Sequence, residues 1–313
     1  MIDGPPRGGH TGLHGDDAEL QPDPFLGQDS FIRSARVSAG AREAGTRLNR
    51  QRARGITAAL EAHASGQSTQ VDGWFAAAAR VAAELDVPLV SLEALGIGFD
   101  DEDHLTSRFL RPLTGGAEAK PFADDQRGVV YKLFDLRDSG ALGKKILLQF
   151  GNPWEADVRM VDAVLFETME KLAVLHDAGA HPTEIIGLAD TGDYLIVKQP
   201  MAQPHGPDLD EDRRVAVAAM KALPVRGGIR GGDLRVFWVA GKAWLLGDLH
   251  RGNVMRDEDG VPTIIDALIG QVPTSALGSL PALSKAVQEA REMREGTRTR
   301  ASDLFDGVND DEL

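Results

Sequence analysis

Cysteine is absent from the 313 residues of this chain. That excludes a disulfide framework, a thiol nucleophile and any Cys-ligated zinc or iron–sulfur centre. The absence fits a reducing compartment, and the cytoplasm is the expected location. No run of about 18 apolar residues occurs, so no membrane span is expected. The opening stretch, MIDGPPRGGHTGLHGDD, lacks the apolar core of a signal peptide. Basic charge is also in short supply. Lys and Arg number 34 against 48 Asp and Glu, a formal net charge of −14. Broad nucleic-acid binding needs a basic face to neutralise phosphates, so nucleic acid is not an expected partner.

Hydrophobic residues make up 42% of the chain, enough for a sizeable core in one large or two small domains. Residues 1–30 are rich in Gly, Pro, Asp and His and have little to bury, which predicts a disordered tail. His10 and His14 lie in that tail and read as solvated side chains rather than a metal site. Residues 31–104 read as a helical N-terminal region. Its first part carries the Arg-rich run Arg33 to Arg54, a solvated helix face, and a second helix is predicted from a cap at Asp72. The acidic FDDEDH at 99–104 marks its end.

From 105 onward the texture changes. Short apolar runs alternate with Gly- and Asp-rich turns: VVYKLF (129–134), KILLQF (145–150), YLIVKQ (194–199), VFWV (236–239), AWLL (243–246) and PTIID (262–266). One helical pattern is predicted over 154–178, with an apolar stripe of Val158, Val161, Leu165, Leu172 and Leu175. Strands, one helix, then more strands predict an α+β fold. Residues 291–313 read as an acidic tail.

The most informative segment is LLGDLHRGNVMRDEDGVPTIIDALIG, residues 245–270. AWLL predicts a short buried strand, after which Asp248 enters a loop. VM begins an outgoing strand, DEDG is a hairpin turn ending on Gly260, and VPTII returns. Asn253 stands just before the outgoing strand and Asp266 just after the returning one. Antiparallel pairing then brings both side chains to one end of the hairpin, where Asp248 also arrives. Two carboxylates and an amide at a loop mouth suit a hard cation such as Mg²⁺. A carboxylate there can also accept a proton from a hydroxyl attacking a metal-bound triphosphate. Each residue alone is more often a turn or strand-end residue. The joint spacing is Asp, then Asn five residues on, then Asp thirteen residues later, and it matches D-x-x-x-x-N followed by a metal aspartate. Lys132 alternates onto the face of Val130 and Phe134, where an ammonium needs an anionic partner.

GDLHRGNVM…TIID resembles the catalytic loop and metal aspartate of the protein-kinase-like superfamily. Its Asp-Leu-His-x-Gly-Asn form is closer to aminoglycoside and choline phosphotransferases than to ordinary protein kinases. The segment from about 105 to 272 is most similar to the compact kinase domain of polyvalent proteins of phages and mobile elements. LTGGAEAKPF, VVYKLF, YLIVKQPMA and the Asp-Leu-His loop follow one another in that family's order. The resemblance implies a bilobal kinase-like domain over 105–290. It implies Asp248 as the catalytic residue, Asn253 and Asp266 as Mg²⁺ ligands, and Lys132 on the α/β-phosphates of ATP. Gly115 and Gly116, about sixteen residues before Lys132, would cover the phosphates. A helix carboxylate, Glu167 in preference to Glu170, would pair with Lys132. Adenine would meet the backbone near Gln199, Met201 and Ala202, with Pro200 unable to donate. His250 would orient the loop. Asp266 is followed by Ala-Leu-Ile-Gly and no Ala-Pro-Glu segment appears, so the C-lobe is expected to be minimal. The expected activity is ATP- and Mg²⁺-dependent phosphoryl transfer, to a protein Ser, Thr or Tyr hydroxyl in preference to a small molecule. The alternatives are a non-catalytic nucleotide-binding module and transfer of AMP.

Overall fold

The computed structural model describes residues 50, 88–114, 118–137, 142–152 and 154–297. The tail at 1–30, His10, His14, most of the Arg-rich run, the Asp72 helix, Gly115, Gly116 and the chain end from 298 lie outside the described residues. The fold is mixed α+β, with several sheets and four helices among the described residues. None of these helices is long and apolar enough to cross a membrane.

The first half supplies β1 (Leu89–Val90), β2 (Ile97–Phe99), β3 (Leu105–Ser107), β4 (Arg111–Pro112), β5 (Lys120–Asp124), β6 (Val129–Asp135), β7 (Lys144–Asn152) and β8 (Glu155–Asp162). Helix α1 (Leu165–Ala178), β9 (Glu184–Ala189), β10 (Tyr194–Pro200) and β11 (Gln203–Pro204) follow. Then come α2 (Leu209–Ala219), β12 (Leu223–Pro224), β13 (Ile229–Arg230), β14 (Arg235–Val239), β15 (Lys242–Gly247), β16 (Val254–Arg256), β17 (Pro262–Ile264) and β18 (Leu268–Gln271). Helices α3 (Thr274–Ser279) and α4 (Pro281–Glu295) close the described fold.

Six strands pair in the order β1-β9-β10-β6-β5-β4, with β1 parallel to β9 and the other pairs antiparallel. Period-two alternation sorts this sheet into two faces. Phe134, Leu195 and Val197 pack with Leu165, Met169 and Leu172 of α1. Tyr131, Leu133, Tyr194 and Ile196 turn the other way, onto Leu92, Ile97 and Leu110. Residues 88–104 therefore correct the expected domain layout: β1 joins this sheet and β2 pairs with β3 in a separate two-stranded sheet, in place of the end of a helical region.

The second sheet, β12-β14-β15-β18, is antiparallel. One face joins Val236 and Leu245 to Ile146, Leu148, Leu283 and Val287. The other joins Phe237 and Leu246 to Ala216, Val217 and the C-terminal turn of α1 at Val174 and Leu175. Phe237, Leu245 and Leu246 are fully buried, and each such side chain contributes roughly 1.5–3 kcal/mol relative to exposure. Helix α1 thus touches both sheets. Hairpin β7–β8 crosses β18 so closely that a Cβ on Gly270 would stand 2.0 Å from the Ile146 carbonyl oxygen, and only glycine fits there.

The helix expected over 154–178 is corrected by the fold. Glu155–Asp162 is a strand paired antiparallel with β7, and the helix begins only at Leu165. The β-branched Val158 and Val161 suit the strand, and a nine-residue partner is at hand in β7. Helix α1 ends at Gly179, whose φ of 108° gives the left-handed cap.

Candidate functional site

The chain leaves β15 at Gly247 and turns sharply at Asp248, which has a φ of 61°. An aspartate tolerates that left-handed conformation better than most residues, at some local cost. Asn253 secures the turn. Its side-chain amide donates to the Asp248 carbonyl at 2.8 Å and to Asp248 Oδ2 at 3.2 Å. His250 accepts the Gly252 N–H on Nδ1 at 2.9 Å, and its carbonyl accepts the Asn253 N–H at 2.9 Å. The ring braces the loop from within. Arg213 of α2 adds an outer tether, Nε donating to the Leu249 carbonyl at 2.9 Å.

Strands β16 and β17 pair Val254 with Ile264, and the Ile265 N–H donates to the Asn253 carbonyl at 3.0 Å. The turn between them has Asp257 Oδ1 accepting the N–H groups of Asp259 and Val261, with Gly260 at a φ of 76°. Asn253, bonded to Asp248, and Asp266 therefore stand at the same end of the hairpin.

Asp266 faces a cleft lined by Lys132, Phe134, Lys171, Leu175, Gln199 and Ile265, among others. Its free volume of about 10 Å³ has room for about one water. Lys132 enters from β6, on the face predicted by alternation, and donates weakly to the Ile265 carbonyl at 3.4 Å. Lys171 enters from α1. Its ammonium lies 3.0 Å from Asp266 Oδ1 and 2.6 Å from Glu118 Oε2, and its side chain is only 6% exposed.

Burial strips water from the Lys132 ammonium and pushes its pKa down; Asp266 opposes this and Lys171 reinforces it. Burial also works against charge on Lys171, but Asp266 and Glu118 outweigh it and hold its pKa up. Burial alone would raise the Asp266 carboxyl, yet Lys171 and then Lys132 overcome it, and the carboxyl sits below its ordinary value. Lys171 and Asp266 thus favour each other's charged form.

Several expected contacts are corrected. Glu167 does not pair with Lys132: its carboxylate is bound by the Lys145 ammonium of β7 and by the Val164 N–H, which it caps at the start of α1. Burial pushes the Glu167 carboxyl up, but the Lys145 bond wins and its pKa is lowered. Glu170, the alternative, is paired with Lys242 at 3.1 Å on the surface. The Met201 N–H, one of the two expected adenine donors with Ala202, already donates to the Gly128 carbonyl at 2.8 Å. Gln199 is buried and serves structure: Nε2 donates to Thr183 Oγ1 at 2.8 Å and to the Ile265 carbonyl at 3.4 Å. Ala202 is partly exposed at the end of this strand.

Lys171 and Glu118 were missed in the sequence. A signal existed for Lys171: it falls three residues after Thr168 and four before Leu175, inside the buried face of α1. Glu118 had none beyond following the Gly115–Gly116 pair.

Among the described residues, no group of three or more His, Cys, Asp or Glu side chains is gathered for a metal. The donor chemistry still suits a hard cation. The amide orientation turns Asn253 Oδ1, an oxygen, away from Asp248. The Lys171 ammonium also shows that Asp266 receives a cation here. No protein-family model, curated protein or solved structure matches the chain.

Proposed function

We propose that the chain is an ATP- and Mg²⁺-dependent phosphotransferase of bilobal, kinase-like design. The six-stranded sheet would be one lobe. The second sheet with α2 and α4 would be a small second lobe. One observation carries the reading. A single loop and hairpin carry Asp248, Asn253 and Asp266, and the Asn253 amide bonds the Asp248 carbonyl at 2.8 Å. Lys132 enters the cleft of Asp266 from the opposite sheet. Asp266 and the Asn253 oxygen would hold Mg²⁺, which when bound would neutralise phosphate charge. Asp248, exposed at the mouth, would accept the proton of an acceptor hydroxyl, and Lys132 would bind phosphate oxygens. Catalysis would rest on positioning and charge neutralisation. The family resemblance favours a protein hydroxyl as acceptor over a small molecule.

A second reading, a nucleotide-binding module without transfer, is favoured by Lys171 seated on Asp266, the proposed metal aspartate. Calorimetric titration with Mg-ATP, followed by mass spectrometry of peptide and aminoglycoside acceptors, decides between them. Binding with gain of a phosphoryl group supports the phosphotransferase. Binding without transfer supports the second reading, and gain of AMP would assign a nucleotidyl transfer instead. Failure to bind Mg-ATP contradicts both main readings.

A further inference from the structure

The resemblance asks helix α1 for a carboxylate, and α1 delivers a lysine to the cleft. Lys171 is buried among Leu172, Leu175, Phe134 and Ile264. A lysine held among apolar side chains needs an anionic partner to keep its charge. It has two carboxylates, from different parts of the chain. Asp266 is the metal aspartate of the proposed reading. Glu118 stands two residues after Gly116 in sequence. Glu118 is itself fixed: its Oε1 accepts the Lys144 N–H at 3.2 Å, and it lies against Gly143, where a Cβ would stand 2.4 Å from the carboxyl carbon.

Lys132 and Lys171 therefore approach the Asp266 side of the cleft from two walls, strand β6 and helix α1. With Glu118 and Asp266 they form a balanced set of two cations and two anions. A divalent cation on Asp266 would displace the Lys171 ammonium and leave this set with two positive charges in excess. The group that fits two ammonium ions beside a metal is a chain of phosphates, whose oxygens accept from both at once.

We propose that Lys171 is a second phosphate-binding residue, which rests on Asp266 and turns with Lys132 onto the di- or triphosphate of a metal-bound nucleotide when one binds, while Glu118 keeps hold of it. This deepens the phosphotransferase reading and rests on it. It makes the phosphate chain, more than the base, the recognised part of the nucleotide. That agrees with a strand end at which the Met201 N–H is already used.

The test is calorimetric titration of the full chain and of Lys171→Met and Lys171→Arg with Mg-ATP, Mg-ADP and adenosine. In the Met variant, affinity for Mg-ATP and Mg-ADP should fall about 10–100-fold, the worth of a charge-assisted hydrogen bond, while adenosine is unaffected. The Arg variant should recover most of the loss. Mg-ATP binding by Lys171→Met at wild-type strength or tighter would mean that the lysine only plugs the metal site. Equal losses for adenosine and Mg-ATP would mean a structural role. Either result overturns the inference while the phosphotransferase reading stands. A wild-type chain that binds no Mg-ATP brings down both. A measurement on the unmodified chain needs no variant to fold. An acyl-phosphate derivative of ATP should acylate both Lys132 and Lys171, as read by peptide mass spectrometry; labelling of Lys132 alone contradicts the proposal.

Discussion

The Glu167 carboxylate is bound to the ammonium of Lys145, a residue of the β7–β8 hairpin, and not to that of Lys132. Both partners are about one-third exposed, 33% for Glu167 and 32% for Lys145, so the pair is a modest one. Glu167→Ala should cost about 0.5–1.5 kcal/mol of stability, from the lost pair and the lost cap on Val164. Transfer activity should stay within several-fold of wild type, whereas Lys132→Met should lose Mg-ATP binding. Urea unfolding beside a turnover assay checks this. Loss of turnover in a folded Glu167→Ala protein would restore Glu167 to the site.

Asp248 turns the chain at a φ of 61°. Glycine adopts that conformation without the steric cost that a Cβ carries. Asp248→Gly should therefore leave thermal stability within about 1 kcal/mol of wild type, or raise it, while phosphoryl transfer disappears. A large drop in melting temperature would mean that the carboxylate holds the loop together and that its conformation is not strained.

Asp212 of α2 is buried and takes a two-pronged contact from Arg256 at 2.7 and 2.9 Å, together with the Gly206 N–H at 2.5 Å. The Arg256 bonds, more than the burial that opposes them, hold its carboxyl below the ordinary value of 3.8. A depressed folded pKa adds stability above the unfolded value and loses it as pH falls through the folded one. Asp212→Asn should cost about 1–3 kcal/mol at neutral pH. The gap from wild type should shrink as pH drops below about 4. Denaturant titrations at pH 7 and pH 3 test this, and a gap that persists unchanged at pH 3 would assign the loss to shape rather than charge.

The hairpin that carries Asn253 and Asp266 is legible because its determinants are local. Apolar runs set the strands, and Asp257 with Gly260 sets the turn. The same locality made β6, β10, β14 and β15 readable. Residues 155–162 were misread because Val158, Val161 and Leu165 satisfy a helical spacing as well as a strand, and only pairing with β7 decides. The ion pairs were the least legible. Lys171 meets Glu118 across 53 residues, and nothing near either one names its partner. Glu167 found Lys145 because the misread segment is the strand that brings β7 alongside α1. Where a charge ends up depended on tertiary placement; where the loop turns depended on the loop's own residues.

The most direct measurement follows the γ-phosphoryl group of labelled ATP, with Mg²⁺, in wild type and in Asp248→Asn, with Mg-ATP affinity measured on the same preparations. An amide keeps the shape of the carboxylate but cannot take the hydroxyl proton. Wild type should transfer phosphoryl to a hydroxyl acceptor. The Asn variant should bind Mg-ATP with little change and transfer it roughly 10²–10⁴-fold more slowly. Transfer at equal rates in the two proteins, or no transfer and no Mg-ATP binding in wild type, would contradict the account.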